Sequence, residues 1–160
     1  MKILRWPHRK LSTKTKKVTN IQEQVEPYLD GMVSLMRDCS GAGLAANQVG
    51  IDRSFFILEQ SEIYEKNPPL VMINPVIIDG FGETVSQEGC LSVPGERFSC
   101  LRSIWIKVKF ENLEGEQKEE AFSGFVSIAI QHEIDHLNGI TLADSAPAEK
   151  IRDIISSSEY

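Results

Sequence analysis

Residues 123–139 (Ser-Gly-Phe-Val-Ser-Ile-Ala-Ile-Gln-His-Glu-Ile-Asp-His-Leu-Asn-Gly) restrict the fold more than any other segment. Phe125, Val126, Ile128, Ala129, Ile130, Ile134 and Leu137 recur on most sides of one helix. A helix apolar nearly all round is a buried one. Ser123 or Gly124 opens it, and Gly139 caps its C-terminus. The same helix carries His132, Glu133, Asp135 and His136. Two imidazoles and two carboxylates are costly to bury without partners. The chain has to wrap this helix and also give its polar residues something to bind.

His132 and His136 are four apart, so both imidazoles lie on one face and reach one point. Glu133 sits beside that point, free to act as a base. A catalytic metal site generally takes three protein ligands and an open position. Downstream the candidates are Asp144, Glu149 and Asp153. No histidine follows, which excludes a three-histidine protease signature. Upstream stands Glu88-Gly89-Cys90-Leu91-Ser92, and a thiolate is a strong ligand for such a metal. Alone, each of the cysteines at 39, 90 and 100 reads as a small buried hydrophobe. Position sets Cys90 apart, and Cys39 and Cys100 remain packing residues.

The rest of the chain supplies the wrapping. Val25, Leu29, Met32, Val33 and Met36 predict a helix over about 27–39, with Pro27 in its first turn and Gly41 after its end. Gly41-Ala42-Gly43-Leu44-Ala45-Ala46-Asn47-Gln48-Val49-Gly50 reads as a glycine-rich segment, without the lysine of a nucleotide P-loop. Ser54–Leu58, Leu70–Ile73 and Val76–Ile78 read as strands, punctuated by Pro68-Pro69 and Asn74-Pro75. Ile104–Phe110 alternates apolar and charged residues, a turn follows at Asn112–Gly115, and Gln117–Phe122 returns. Pro147 starts a short helix running to about Ser156. The order predicts an α+β domain, antiparallel strands around a buried central helix.

Composition sets the outer limits. The chain has 160 residues, 41% of them hydrophobic with 11 glycines besides, and 25% charged. That is one globular domain over 1–160, with a basic arm over 1–20 and a short C-terminal helix over 145–160. The net charge of −6 gives no global draw toward DNA or an anionic membrane. Lys2, Arg5, Arg9, Lys10, Lys14, Lys16 and Lys17 nonetheless crowd the first seventeen positions, most simply as a solvated, loosely held arm, with a patch that touches RNA or another polyanion as the weaker alternative. No signal-like or membrane-spanning apolar run is present. With three cysteines this points to a cytoplasmic or equivalent reducing compartment rather than to secretion.

Three segments together resemble the signature motifs of the peptide deformylases, in that family's order. They are Gly41–Gln48, Glu88–Ser92 and Gln131–Gly139, and the resemblance reaches from about Ile3 to Ala143. It implies one divalent metal held by Cys90, His132 and His136, with water as fourth ligand. Fe²⁺ is the usual physiological ion, and Zn²⁺, Ni²⁺ or Co²⁺ can substitute. By ligand chemistry alone this set serves Zn²⁺ and Fe²⁺ almost equally. The implied substrate is the N-formyl group on the methionine of newly made chains, and the products are formate and a free amino terminus.

The implied mechanism has Glu133 take a proton from the metal's water, hydroxide attack the formyl carbon, and Glu133 pass the proton to the leaving amine. The Gln48 side-chain amide and the Leu91 backbone N–H stabilise the oxyanion. Gly43 and Gly89 let the peptide lie against the backbone as an added strand. Ile128 and Ala129 contribute to the methionine pocket, and Arg97 sits at the groove rim. Arg102 and Asp135 match family positions, and an ion pair between them steadies the metal helix.

The match breaks after Ala143. The family's longer basic helix docks on the ribosome, whereas only Lys150 and Arg152 are basic after Asp144 here. Docking of that kind is not carried over, and the short tail suits a compact organellar or viral version. Two other readings compete. One is a metallopeptidase or amidase of another substrate on the same helix. The other is an idle metal-bound module that binds peptide. Cys90 with Gln48 weighs against the first, and an intact Glu133 against the second.

Overall fold

Two antiparallel sheets carry the fold in the computed structural model, which describes residues 1–60 and 68–157. In chain order the elements are α1 (Ile21–Gln24), α2 (Glu26–Asp38), β1 (Gly43–Ala45), β2 (Phe55–Leu58), β3 (Leu70–Phe81), β4 (Thr84–Cys90), β5 (Val93–Arg102), β6 (Trp105–Glu111), β7 (Gln117–Ser123), α3 (Gly124–Leu137) and α4 (Ala148–Ser157). Short 3-10 turns lie at Arg9–Ser12, Ala46–Val49 and Leu142–Ser145. The larger sheet runs β1-β2-β3-β6-β7, and β4 and β5 form a separate hairpin. The class is α+β. The final residues of the 145–160 segment lie outside the described ones.

Apolar patterning explains the layers. Every residue of β2 is buried. Phe56 and Leu58 join the α3 side, with Ile106, Val108, Phe110, Ala129, Ile130, Ile134 and Leu137. Phe55 and Ile57 join the α2 side, with Met32, Met36, Leu44 and Ile73. A strand covered on both faces reads as a continuous apolar run. In β6 the inward Ile106, Val108 and Phe110 alternate with Lys107 and Lys109, and the whole strand pairs with β7 from Trp105↔Ser123 to Glu111↔Gln117. A third cluster gathers Cys90, Val93, Phe98, Leu142, Ala143 and Ile154, seating the hairpin on the C-terminal segment.

Several elements depart from the pattern. Asn74-Pro75 does not end a strand, because β3 runs on to Phe81. Asn74 takes a left-handed backbone (φ 51°) and the β3–β6 register shifts between Ile73 and Val76. Proline is tolerated at such a bulge, where no ladder hydrogen bond is required of it. The Asn74 amide also pairs both ways with Val18, at 2.8 and 2.9 Å. β1 lies within the glycine-rich segment. β4 and β5 escape apolar patterning because their faces are inverted: Val85 and Leu101 are exposed while Glu88 is buried. α3 is not buried all round, since Phe125 is 69% and Val126 41% exposed. Cys39 is exposed rather than packed, because it ends α2 at the surface, and Cys100 is half-buried.

The N-terminal arm wraps the molecule and is tied down rather than loose. Leu4 N–H donates to Gln48 O (2.7 Å) and Trp6 N–H to Ser92 O (3.0 Å). Both the amide and the hydroxyl of Thr15 donate to Leu137 O, and Leu11 is fully buried. No helix among the described residues is long and apolar enough to cross a membrane.

Gly139 shows how closely the arm meets the end of α3. Its φ is 74°, and a Cβ there would lie 2.8 Å from Ser12 C and 2.9 Å from Thr13 N. Gly139→Ala therefore meets both left-handed strain and backbone, and should cost about 2 kcal/mol or more in urea unfolding. A loss below about 0.5 kcal/mol would show that the arm yields at this point.

Candidate metal centre

α3 and β4 bring three donors to one point. Cys90 Sγ lies 3.2 Å from His136 Nε2, and His136 Nε2 lies 3.2 Å from His132 Nε2. The three ligand atoms all fall within 4.8 Å of one another, with Cys90 and His136 buried and His132 half-buried. The imidazoles meet edge to face at 74°. The downstream candidates Asp144, Glu149 and Asp153 are absent from this cluster. Asp144 instead accepts from Thr141 N–H at 2.6 Å, capping the Leu142–Ser145 turn.

The donors are aimed by a network that the sequence reading caught only in part. The Arg102–Asp135 pair is present at 2.6 Å. Arg102 also grips Glu88 with two parallel bonds of 2.8 and 2.9 Å. Glu88 Oε1 in turn lies 3.2 Å from His132 Nδ1. That contact turns Nε2 of His132 toward Cys90 and His136, as a carboxylate does for a metal-bound imidazole. Glu88 stands two residues before Cys90 on β4, and alternate strand residues share a face. Reading this stretch as a strand would have placed it.

Burial sets the charges. It would raise the Glu88 carboxyl, but hydrogen bonds from His132 and Arg102 outweigh it and hold the pKa at about 2. The Arg102 guanidinium is pushed up, since its two carboxylate partners outweigh its own burial. Burial also opposes charge on both histidines. At His132 the Cys90 and Glu88 hydrogen bonds overcome it. At His136 burial prevails, aided by the charges of His132 and Arg102, and holds its pKa well below the usual imidazole range, which favours the neutral ring that a metal requires. Glu133 is buried and its Oε2 has no partner. Burial pushes its pKa up to about 7, with the His132 charge lowering it and that of Glu88 raising it.

The other expected residues converge as well. Gln48, 1% exposed, accepts from Ala45 N–H through Oε1 (2.9 Å), which turns Nε2 toward Ser92 Oγ (3.1 Å) and Cys90 Sγ (3.6 Å). Ser92 is a member of this constellation that sequence reasoning passed over, as is Asn47, whose amide donates to His136 O. A cleft of about 1050 Å³ opens over the donors, lined by Gly43, Gly89, Leu91, Arg97, Ile128, Ala129 and Glu133. Gly43 is required by the close approach of Glu133, since a Cβ there would stand 2.5 Å from Oε1. The arm adds Ile3 and Arg5 to the cleft, and the end of α2 adds Cys39.

An α+β fold with a Cys-His-His donor set beside a buried glutamate has the parts of a metal-dependent hydrolase. Comparison narrows it. The family described as polypeptide deformylase matches residues 1–152. A peptide deformylase of Dictyoglomus thermophilum is 40% identical over 142 residues, covering 89% of this chain and 90% of its own length. The crystal structure of a peptide deformylase from Legionella pneumophila superposes with a TM-score of 0.89 at 31% identity, over 99% of this chain and 95% of that one. That of a probable peptide deformylase from the Synechococcus phage S-SSM7 gives 0.85 at 33%, over 91% and 99%. The chain belongs to the polypeptide deformylase family, and is an amidohydrolase of a metalloenzyme family that acts on formylated nascent peptides.

Two outcomes follow from the network. Arg102→Ala should weaken metal retention about tenfold to a hundredfold, read by competition with a chelator. Unchanged retention would remove Arg102 from any part in aiming His132. Glu88 has a folded pKa below its unfolded one, so its contribution to stability is full above about pH 4.5 and is lost as the pH falls toward 2. In metal-free protein, the gap in melting temperature between wild type and Glu88→Gln should close over that window. A constant gap would contradict the depressed pKa.

Proposed function

We propose that the protein hydrolyses the N-formyl group of formylmethionyl chains, releasing formate and a free α-amino group. The observation that carries the reading is Glu133: a buried carboxylate with an unpartnered oxygen, opening on the cleft beside Cys90, His132 and His136. The three side chains fit a divalent cation, since they bring a thiol that can ionise and two imidazole nitrogens within 4.8 Å of one another. Cys90 Sγ and Nε2 of both histidines would hold it. We take Fe²⁺ as the physiological ion, with Zn²⁺, Ni²⁺ or Co²⁺ as substitutes.

The cation supplies Lewis acidity and water that ionises near neutral pH. Glu133 Oε2 accepts a proton from the attacking water and returns it to the departing amine nitrogen. A carboxylate whose pKa is about 7 is suited to both transfers at neutral pH. The formyl oxygen gains negative charge as its carbon becomes tetrahedral. Gln48 Nε2 and the Leu91 N–H donate to it: Ala45 holds the far end of the Gln48 amide and Ser92 takes one Nε2 proton, so the other has only to turn from Cys90 Sγ to the formyl oxygen. The peptide runs beside Gly43 and Gly89 as an added strand, Ile128 and Ala129 wall the methionine side chain, and Arg97 stands at the rim. The partners are therefore nascent chains, in a reducing compartment where translation proceeds.

Wild-type protein prepared without oxygen should release formate from formyl-Met-Ala-Ser. Glu133→Ala should keep its metal and lose activity by about 10²–10⁴-fold. Gln48→Leu should lower kcat by about 10²–10³-fold. Formate from wild type and Glu133→Ala at equal rates would remove Glu133 as the base. No formate from metal-loaded wild type would overturn the reading.

A further inference from the structure

We propose that Lys150 on α4 is a positioning residue that fixes the wall of the cleft formed by Glu96 and Arg97, and so sets how tightly the peptide beyond its methionine is held. This rests on the deformylase reading of the same cleft.

Three contacts meet on one ammonium group. Lys150 Nζ lies 3.2 Å from Glu96 Oε2, donates to Arg97 O, and stands 4.3 Å from the centre of the Phe98 ring. These are three consecutive residues of β5. Glu96 and Arg97 line the cleft, while Phe98 is buried in the cluster that contains Cys90. Arg97 is the register partner of Gly89, and its Nη2 reaches across the hairpin to Gln87 O at 2.9 Å. The wall opposite Gly89 is thus braced twice, from β4 by Gln87 and from α4 by Lys150.

The brace has an anchor of its own. Ile154, one turn beyond Lys150, is 6% exposed and is the buried residue of α4 among the described ones. Residues four apart share a helix face, so one apolar and one charged contact fix α4 to β5. The Lys150–Glu96 pair is about a third exposed, and such a pair adds little stability by itself. Its effect lies in position. With Glu96 paired and the Arg97 carbonyl engaged, Arg97 keeps a fixed backbone from which to meet a peptide. Without Lys150, Glu96 is left unpaired beside Arg97 and this part of β5 is held from the β4 side alone.

The test uses the metal-loaded protein with Lys150→Met, which keeps an aliphatic stem and removes the charge, and Lys150→Arg. With the peptide lying beside Gly89 as proposed, formyl-Met-Ala-Ser would extend to the wall and formyl-Met amide would stop short of it. In Lys150→Met, KM for the longer substrate should rise about threefold to tenfold with kcat within about twofold, the pattern of lost uniform binding. KM for formyl-Met amide should shift less than about twofold. Binding of the product peptide Met-Ala-Ser, measured by calorimetry, should weaken in parallel, and Lys150→Arg should restore most of both. A lower melting temperature with unchanged KM would overturn the inference and leave Lys150 merely structural, and so would an equal rise in KM for both substrates. Formate from neither substrate with wild type would overturn the deformylase reading and this inference together.

Discussion

Ionised groups can be buried only in company, and the charge network around Arg102 meets that condition here. Its guanidinium, 8% exposed, is shared between Glu88 on β4 and Asp135 on α3. Removing one member of such a group strands the others, commonly at a cost of about 3–5 kcal/mol. The network therefore fixes how the hairpin lies against the helix. It also passes that fix to His132 through Oε1 of Glu88. The spacing of Cys90, His132 and His136 depends on it, because Cys90 follows Glu88 on one strand and the histidines flank Asp135 on one helix.

Around this centre the fold satisfies most polar groups and leaves a few open. Among the described residues, four buried side-chain atoms have no partner, and two of them, Glu133 Oε2 and His136 Nδ1, belong to the site helix. Gln48 is the opposite case, with both ends of its amide engaged before any substrate arrives. One side chain is held by partners at both ends, and the other keeps an oxygen without one. The apolar layers serve the same end. Both faces of β2 are covered, and α3 packs on the larger sheet through Ala129, Ile130, Ile134 and Leu137.

Much of this was legible in the residues. The pairing of apolar spacing with His132, Glu133 and His136 marked the helix. The alternation over Ile104–Phe110 marked β6, and three motifs together marked the family. The hairpin β4–β5 was not legible, because Glu88 faces inward while Val85 and Leu101 face solvent, the reverse of the usual code. Asn74-Pro75 misled because a bulge uses the same residues as a turn. The firm hold on the arm left little trace either, since the bonds from Leu4 and Trp6 run from backbone amides to the Gln48 and Ser92 carbonyls, and every residue but proline carries such an amide. For the same reason Ser92 and Asn47 were missed: both are common polar residues whose importance lies only in what stands next to them.

The bond from Thr15 to Leu137 joins residues 122 positions apart. Contacts of that separation form late, because the entropy of closing the loop is lost before the contact can compensate it. The same holds for Cys90 and the histidines, which meet only once the strands between them have paired. A partly synthesised copy of this chain therefore holds the residues of a catalyst without being one. Its chemistry waits on the helix that follows β7, so destabilising β6 and β7, which line no part of the cleft, would delay the appearance of activity after synthesis more than it would alter the rate of the finished molecule.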